Sequence, residues 1–96
     1  MSQITLVSPD DISIRPLVES ALKARARVLE LSIRRTQERL RKFEETYGYR
    51  TSEFLEKFSH NELQHSFDFD DWIGESRMLT RMQEKLARIQ GIQIVD

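Results

Sequence analysis

The residues best suited to chemistry lie in one short run, Asp68-Phe69-Asp70-Asp71-Trp72. Carboxylates this close together are the raw material of a magnesium site or of acid–base work. Magnesium takes oxygen ligands in octahedral geometry and commonly shares them with a phosphate substrate. No glycine-rich stretch stands nearby to hold a phosphate. Acidic residues at a helix start also cap its free N–H groups and oppose its dipole. That role explains the same residues without a ligand and is preferred. A docking patch is compatible with it: acids around two exposed aromatics, Phe69 and Trp72, suit a basic partner surface.

His60 and His65 stand five positions apart in a polar stretch. A helical zinc pair needs an i,i+4 spacing, and the chain has no cysteine to complete a site. Both read as surface histidines. No nucleophile elbow, phosphate loop or dinucleotide fingerprint is present. The residues therefore point to a binding protein rather than an enzyme, with no cofactor and no metal.

The other charged feature is basic: Lys23, Arg25, Arg27, Arg34, Arg35, Arg39, Arg41 and Lys42. Such a helix can track phosphates, and Arg27, Arg34, Arg35 and Arg41 are the candidate nucleic-acid contacts. Residues 15–50 hold ten Lys/Arg and five Glu, whereas residues 51–96 hold five Lys/Arg and nine Asp/Glu. The chain thus splits into a basic rod and an acidic elbow, although its net charge is only -1. Glu19–Lys23, Glu30–Arg34 and Glu38–Lys42 stand at the favourable i,i+4 spacing. Pairing there would weaken the field of the rod, so nucleic-acid contact is the alternative and not the first choice.

The elements that position these groups read as helices. Pro16 suits a first helical turn, and no Gly or Pro follows until Gly48, which suits a C-terminal stop after Tyr47. Two apolar stripes run along this long helix. One is Leu17, Ala21, Ala24, Val28 and Leu31. The other is Leu22, Ala26, Leu29, Ile33, Thr36, Leu40, Phe43 and Tyr47, a heptad seam for a hairpin or a dimer. The first half should accordingly be buried on two sides, and the second half on one. Thr51 or Ser52 can cap a short helix bearing Phe54, Leu55 and Phe58. A third helix from near Trp72 to about Gln90 carries Trp72, Ser76, Leu79, Met82, Leu86 and Ile89. It should return antiparallel along the first. Residues 3–7 and 92–95 read as short strands pairing within or between chains, or else as frayed tails.

Residues 43–72 resemble small prokaryotic antitoxin-like proteins of the TumE–TumA type of toxin–antitoxin pair. The resemblance is carried by Phe43, Glu44, Tyr47, Gly48 and Tyr49, then Ser52, Glu53, Phe54 and Phe58, then Glu62 and Leu63, then Asp68, Asp70, Asp71 and Trp72. It covers about a third of the chain, and Asn61 stands near where the pattern has a glycine. The resemblance implies direct neutralisation of a partner toxin, a nucleic-acid-cleaving one. Asp68, Phe69, Asp70, Asp71 and Trp72 are the expected partner-binding residues.

The bulk numbers fit one helical domain over residues 1–96. With 32% charged and 39% hydrophobic residues, the chain suits exposed helices with narrow apolar stripes. It is too apolar and too periodic for a disordered chain. The N-terminus has no signal-peptide pattern, and no apolar run approaches the roughly 20 residues of a membrane span. A cytoplasmic, mostly α protein is expected, a helical hairpin that self-associates or meets a protein partner. The expected hairpin or dimer seam is Leu22, Leu29, Ile33, Leu40, Phe43 and Tyr47.

Overall fold

The computed structural model describes residues 1–95. It contains α1 (Arg15–Tyr47), α2 (Thr51–Ser59) and α3 (Phe67–Gln90). Helix α1 starts at the turn that Pro16 favours and has 33 residues, about 50 Å at the usual rise. It ends where Gly48 takes φ 74° and its N–H donates to the Glu44 carbonyl. A left-handed residue there stops the helix at no cost only if it lacks a Cβ. The chain then enters α2 and returns along α1 as α3.

The interface between α1 and α3 is the seam read from the sequence. Leu29, Ile33, Thr36 and Leu40 are buried, and Leu22, Phe43 and Tyr47 are half-buried along the same line. From α3, Trp72 is buried, while Ser76, Leu79, Met82, Leu86 and Ile89 are half-buried. Arg39 Nε lies 3.0 Å from Glu75 Oε1, which marks the antiparallel register. Fourteen residues onward along α3 and fourteen back along α1, Ile89 reaches the level of Arg25. Helix α3 ends one residue later, so the first turns of α1 project beyond it.

The molecule is therefore elongated, 61 × 24 × 18 Å, with a Cα radius of gyration of 19.2 Å. A compact chain of this length would have about 12–13 Å. Burial of α1 on two sides, expected for its first half, does not occur in the single chain. Leu17, Val28 and Leu31 are 71%, 53% and 49% exposed, and Ala21 and Ala24 are exposed between them. Helix α3 covers only the side bearing Leu22 and Leu29.

Two further expectations need correction. No strand occurs among the described residues. Residues 3–7 and 92–95 have β-branched, alternating composition, but a strand also needs a neighbour for its backbone groups. Capping differs as well. Ser66, not an aspartate, caps α3 by accepting from the Phe69 N–H at 3.1 Å, and Asp68 and Asp70 occupy its first turn. Neither Thr51 nor Ser52 caps α2, whose N-cap position is Arg50 with no side-chain cap bond.

Candidate functional site

The acidic run sits where the three helices meet. Beneath it lies an aromatic cluster built around Trp72, which is completely buried together with Phe54. The Trp72 ring is sandwiched: Phe54 stacks on it at 3.9 Å between centroids and 1° between planes, and Phe43 stacks at 5.5 Å and 11°. Tyr47 meets the edge of Phe69 at 5.1 Å. Phe58 contacts Phe54 and, edge-on, the His65 ring. Aromatic pairs of these geometries add about 0.5–1.5 kcal/mol each beyond the burial of their area.

The indole N–H of a buried tryptophan needs an acceptor. Trp72 Nε1 donates to Thr51 Oγ1 at 3.0 Å, and Thr51 Oγ1 donates to Glu44 Oε2 at 2.9 Å. The same carboxylate oxygen accepts from the Thr51 backbone N–H at 2.7 Å. Glu44 on α1 thus satisfies a free N–H in the first turn of α2, the task expected of a local cap. One chain of hydrogen bonds ties all three helices together.

The carboxylates stand on this platform. The Tyr47 hydroxyl donates to Asp68 Oδ2. That bond and, to a lesser degree, burial and the Asp68 charge raise the Tyr47 pKa above its ordinary value. Asp70 Oδ1 lies 3.8 Å from His65 Nδ1. Asp68, Asp70 and Asp71 are all exposed. Among the described residues, no group of three or more His, Asp or Glu side chains is arranged to hold a metal ion.

The structure therefore splits the five sequence-predicted partner residues. Asp68, Asp70 and Asp71 offer a surface. Phe69 is half-buried, and Trp72 is sealed in the core. Of the two aromatics expected to be exposed, Trp72 supports the site from below. The ring that does project is Phe67, 92% exposed, which sequence reasoning missed. Its position ahead of the α3 stripe is the signal that could have found it.

Comparison of the chain with protein-family models, curated proteins and solved structures finds no match. Function must come from the geometry.

The basic candidates divide too. Arg27, Arg34 and Arg41 repeat every seven residues on α1 and form one exposed line, with about 10 Å between neighbours. Arg35 is exposed but falls on the Leu17–Leu31 stripe instead. The expected i,i+4 partners are not the ones observed. Glu19 pairs with Arg15 at 2.7 Å, Glu38 lies 3.9 Å from Arg41, and no ion pair among the described residues joins Glu30 to Arg34. Among the described residues, no helix is long and apolar enough to cross a membrane.

Proposed function

We propose that this chain is an antitoxin-like binding protein that neutralises a partner toxin by direct contact through the acidic elbow. The observation that carries the reading is the pairing of three exposed carboxylates with the fully projecting Phe67 on a rigid aromatic platform. Binding surfaces owe most of their affinity to a few anchors, aromatics foremost, with charges that steer the encounter. An elbow already fixed by Trp72, Thr51 and Glu44 loses little freedom on binding. The complementary partner is a basic surface, as a nucleic-acid-cleaving enzyme carries at its substrate site. The apolar residues Ile4, Leu6 and Val7 are exposed ahead of α1 and have the composition to add a strand to a partner's sheet edge. Such a pair would act in the cytoplasm.

Co-expression with the product of the adjacent gene, followed by pull-down, tests the reading. The expected result is a stable complex that Phe67→Ala weakens tenfold or more. Asp68, Asp70 and Asp71→Asn together should weaken it further and remove its salt dependence. Phe67→Ala leaves the core untouched, so loss of binding would not reflect unfolding. Absence of any complex with that neighbour would sink the idea.

A second reading rests on the Arg27–Arg34–Arg41 line: a helical module that contacts nucleic acid. Phosphate tracking makes affinity fall steeply with salt. A gel-shift series that shows no binding at low salt removes this reading.

A further inference from the structure

The N-terminal half of α1 carries an apolar stripe that none of the described residues covers. Leu17, Ala21, Ala24, Val28 and Leu31 are all exposed, and Ile14 continues the line at its start. The stripe lies on a different face from the seam with α3. We propose that a second copy of this chain covers it, with the N-terminal halves of the two α1 helices packed antiparallel. The elbow at the far end of the hairpin plays no part in this contact.

The order of residues along the stripe is self-complementary. In an antiparallel pair each a position meets a d position. One register places Ile14 against Leu31 of the second copy, Leu17 against Val28, and Ala21 against Ala24, and the twofold repeats each layer. Large side chains then pair at both ends and alanines meet in the middle. Small residues there let two helices approach at the short end of the usual 8–10 Å. The flanking arginines avoid one another: Arg25 falls beside Val18 of the second copy, and Arg27 beside Ser20.

Charge at the ends selects the direction. Beyond Leu31 the stripe continues as Arg35. A parallel pair would stack Arg35 on its own copy. The antiparallel pair carries Arg35 toward the chain just ahead of the other α1, where Asp10 and Asp11 stand. A turn fixes Asp10 there, its Oδ1 accepting from the Ile12 N–H at 2.9 Å and from Ser8 Oγ at 3.0 Å. Opposite charges therefore close both ends of the contact.

The exposed area is ample for it. The single chain exposes 8056 Å², whereas a compact monomer of its 11.4 kDa mass would expose about 5,800 Å². A standard interface takes about 800 Å² from each partner. The excess accommodates one such interface and leaves the elbow free.

Sedimentation equilibrium of the full chain over a micromolar concentration series tests the proposal. The expected mass is twice that of the chain. Ala24→Glu puts a good helix former on an exposed face, so circular dichroism should be unchanged while the dimer dissociates at least about a hundredfold more readily. The chain has no cysteine, so introduced thiols report the register. The double variant Ala21→Cys/Ala24→Cys should oxidise to a covalent dimer. Leu17→Cys alone should not, because its two copies lie about 16 Å apart along the axis. A chain that stays monomeric overturns the proposal, whether or not it binds anionic vesicles through the same face. Rapid crosslinking by Leu17→Cys alone overturns the antiparallel packing.

Discussion

Trp72 on α3 lies face to face with Phe54 on α2, their ring planes 1° apart and their centroids 3.9 Å apart. Both are completely buried, and Phe43 closes the other face of the indole. The two rings dominate the elbow end of a core that also buries Leu29, Ile33, Thr36 and Leu40 along α1. Phe54→Ala should therefore cost about 3–5 kcal/mol. That is a large share of the 5–15 kcal/mol typical of a whole domain. Trp72 is the sole tryptophan, so its emission reports this site alone. Denaturation followed by that fluorescence should show the loss, and a change below 1 kcal/mol would contradict the stacked core.

The hydrogen-bond chain from Trp72 through Thr51 to Glu44 gives a second expectation. Thr51→Val keeps the shape but deprives the buried indole N–H of its acceptor. It also removes a donor from Glu44. An unsatisfied buried donor costs about 1–3 kcal/mol. Glu44→Gln retains an oxygen that accepts from the Thr51 N–H and should cost less. The two changes share one network, so a double-mutant cycle should show coupling of at least about 0.5 kcal/mol. Simple additivity would mean that the chain of bonds does not act as a unit.

These two residues also mark where sequence reasoning stops. The limits of α1 were legible because Pro16 and Gly48 act locally. The seam from Leu22 to Tyr47 was legible because burial against one neighbour imposes a heptad spacing. Glu44 as the cap of α2 was not, because the bond crosses the Gly48 turn and replaces the local cap that Thr51 or Ser52 was expected to provide. Asn61 adopts φ 57°, near the position where the resembled pattern has glycine, and asparagine is among the few other residues that tolerate that region. The terminal strands failed for the opposite reason. Residues 3–7 and 92–95 have local propensity, but a strand exists only with a partner. In the acidic run, residue type identified the carboxylates, whereas only the packing showed that Trp72 faces inward and Phe67 outward.

Gly48 itself is testable. Nothing lies within 4 Å of a Cβ built on it, so a substitution meets no steric block, only the cost of φ 74°. Gly48→Ala should lose about 1–2 kcal/mol, and Gly48→Asn should lose less. Thermal melts of both variants check the order; equal losses would point to a cause other than backbone conformation.

The Tyr47 hydroxyl gives a pH dependence. Its folded pKa is raised because the proton it donates to Asp68 is held in place. The folded state therefore keeps this proton at a pH where the unfolded chain has released it. The stabilisation is fully present below the unfolded value near 10, and is lost as pH rises through the folded value. Ultraviolet titration of phenolate in a Tyr49→Phe background should show late ionisation of Tyr47. Asp68→Ala should move it to lower pH. A titration insensitive to Asp68 would rule out that bond as the cause.

Arg39 and Glu75 form an ion pair across the α1–α3 seam at 3.0 Å, yet Glu75 Oε2 is buried with no hydrogen-bond partner among the described residues. The two ends of this pair should respond with opposite sign. The Arg39 side chain is 48% exposed, so water already screens it, and the pair itself contributes no more than about 0.2–1 kcal/mol. The orphaned oxygen costs about 1–3 kcal/mol, which exceeds that gain. Glu75→Leu removes the orphan, extends the apolar seam beside Leu79 and leaves Arg39 to the solvent and to its bond with Thr36 Oγ1 at 3.3 Å, so it should be neutral or stabilising by about 1 kcal/mol. Arg39→Ala leaves the Glu75 carboxylate without its ion-pair partner and should destabilise. Urea denaturation of the two single variants decides it: a loss for Glu75→Leu alongside no change for Arg39→Ala would mean that the carboxylate holds the hairpin together.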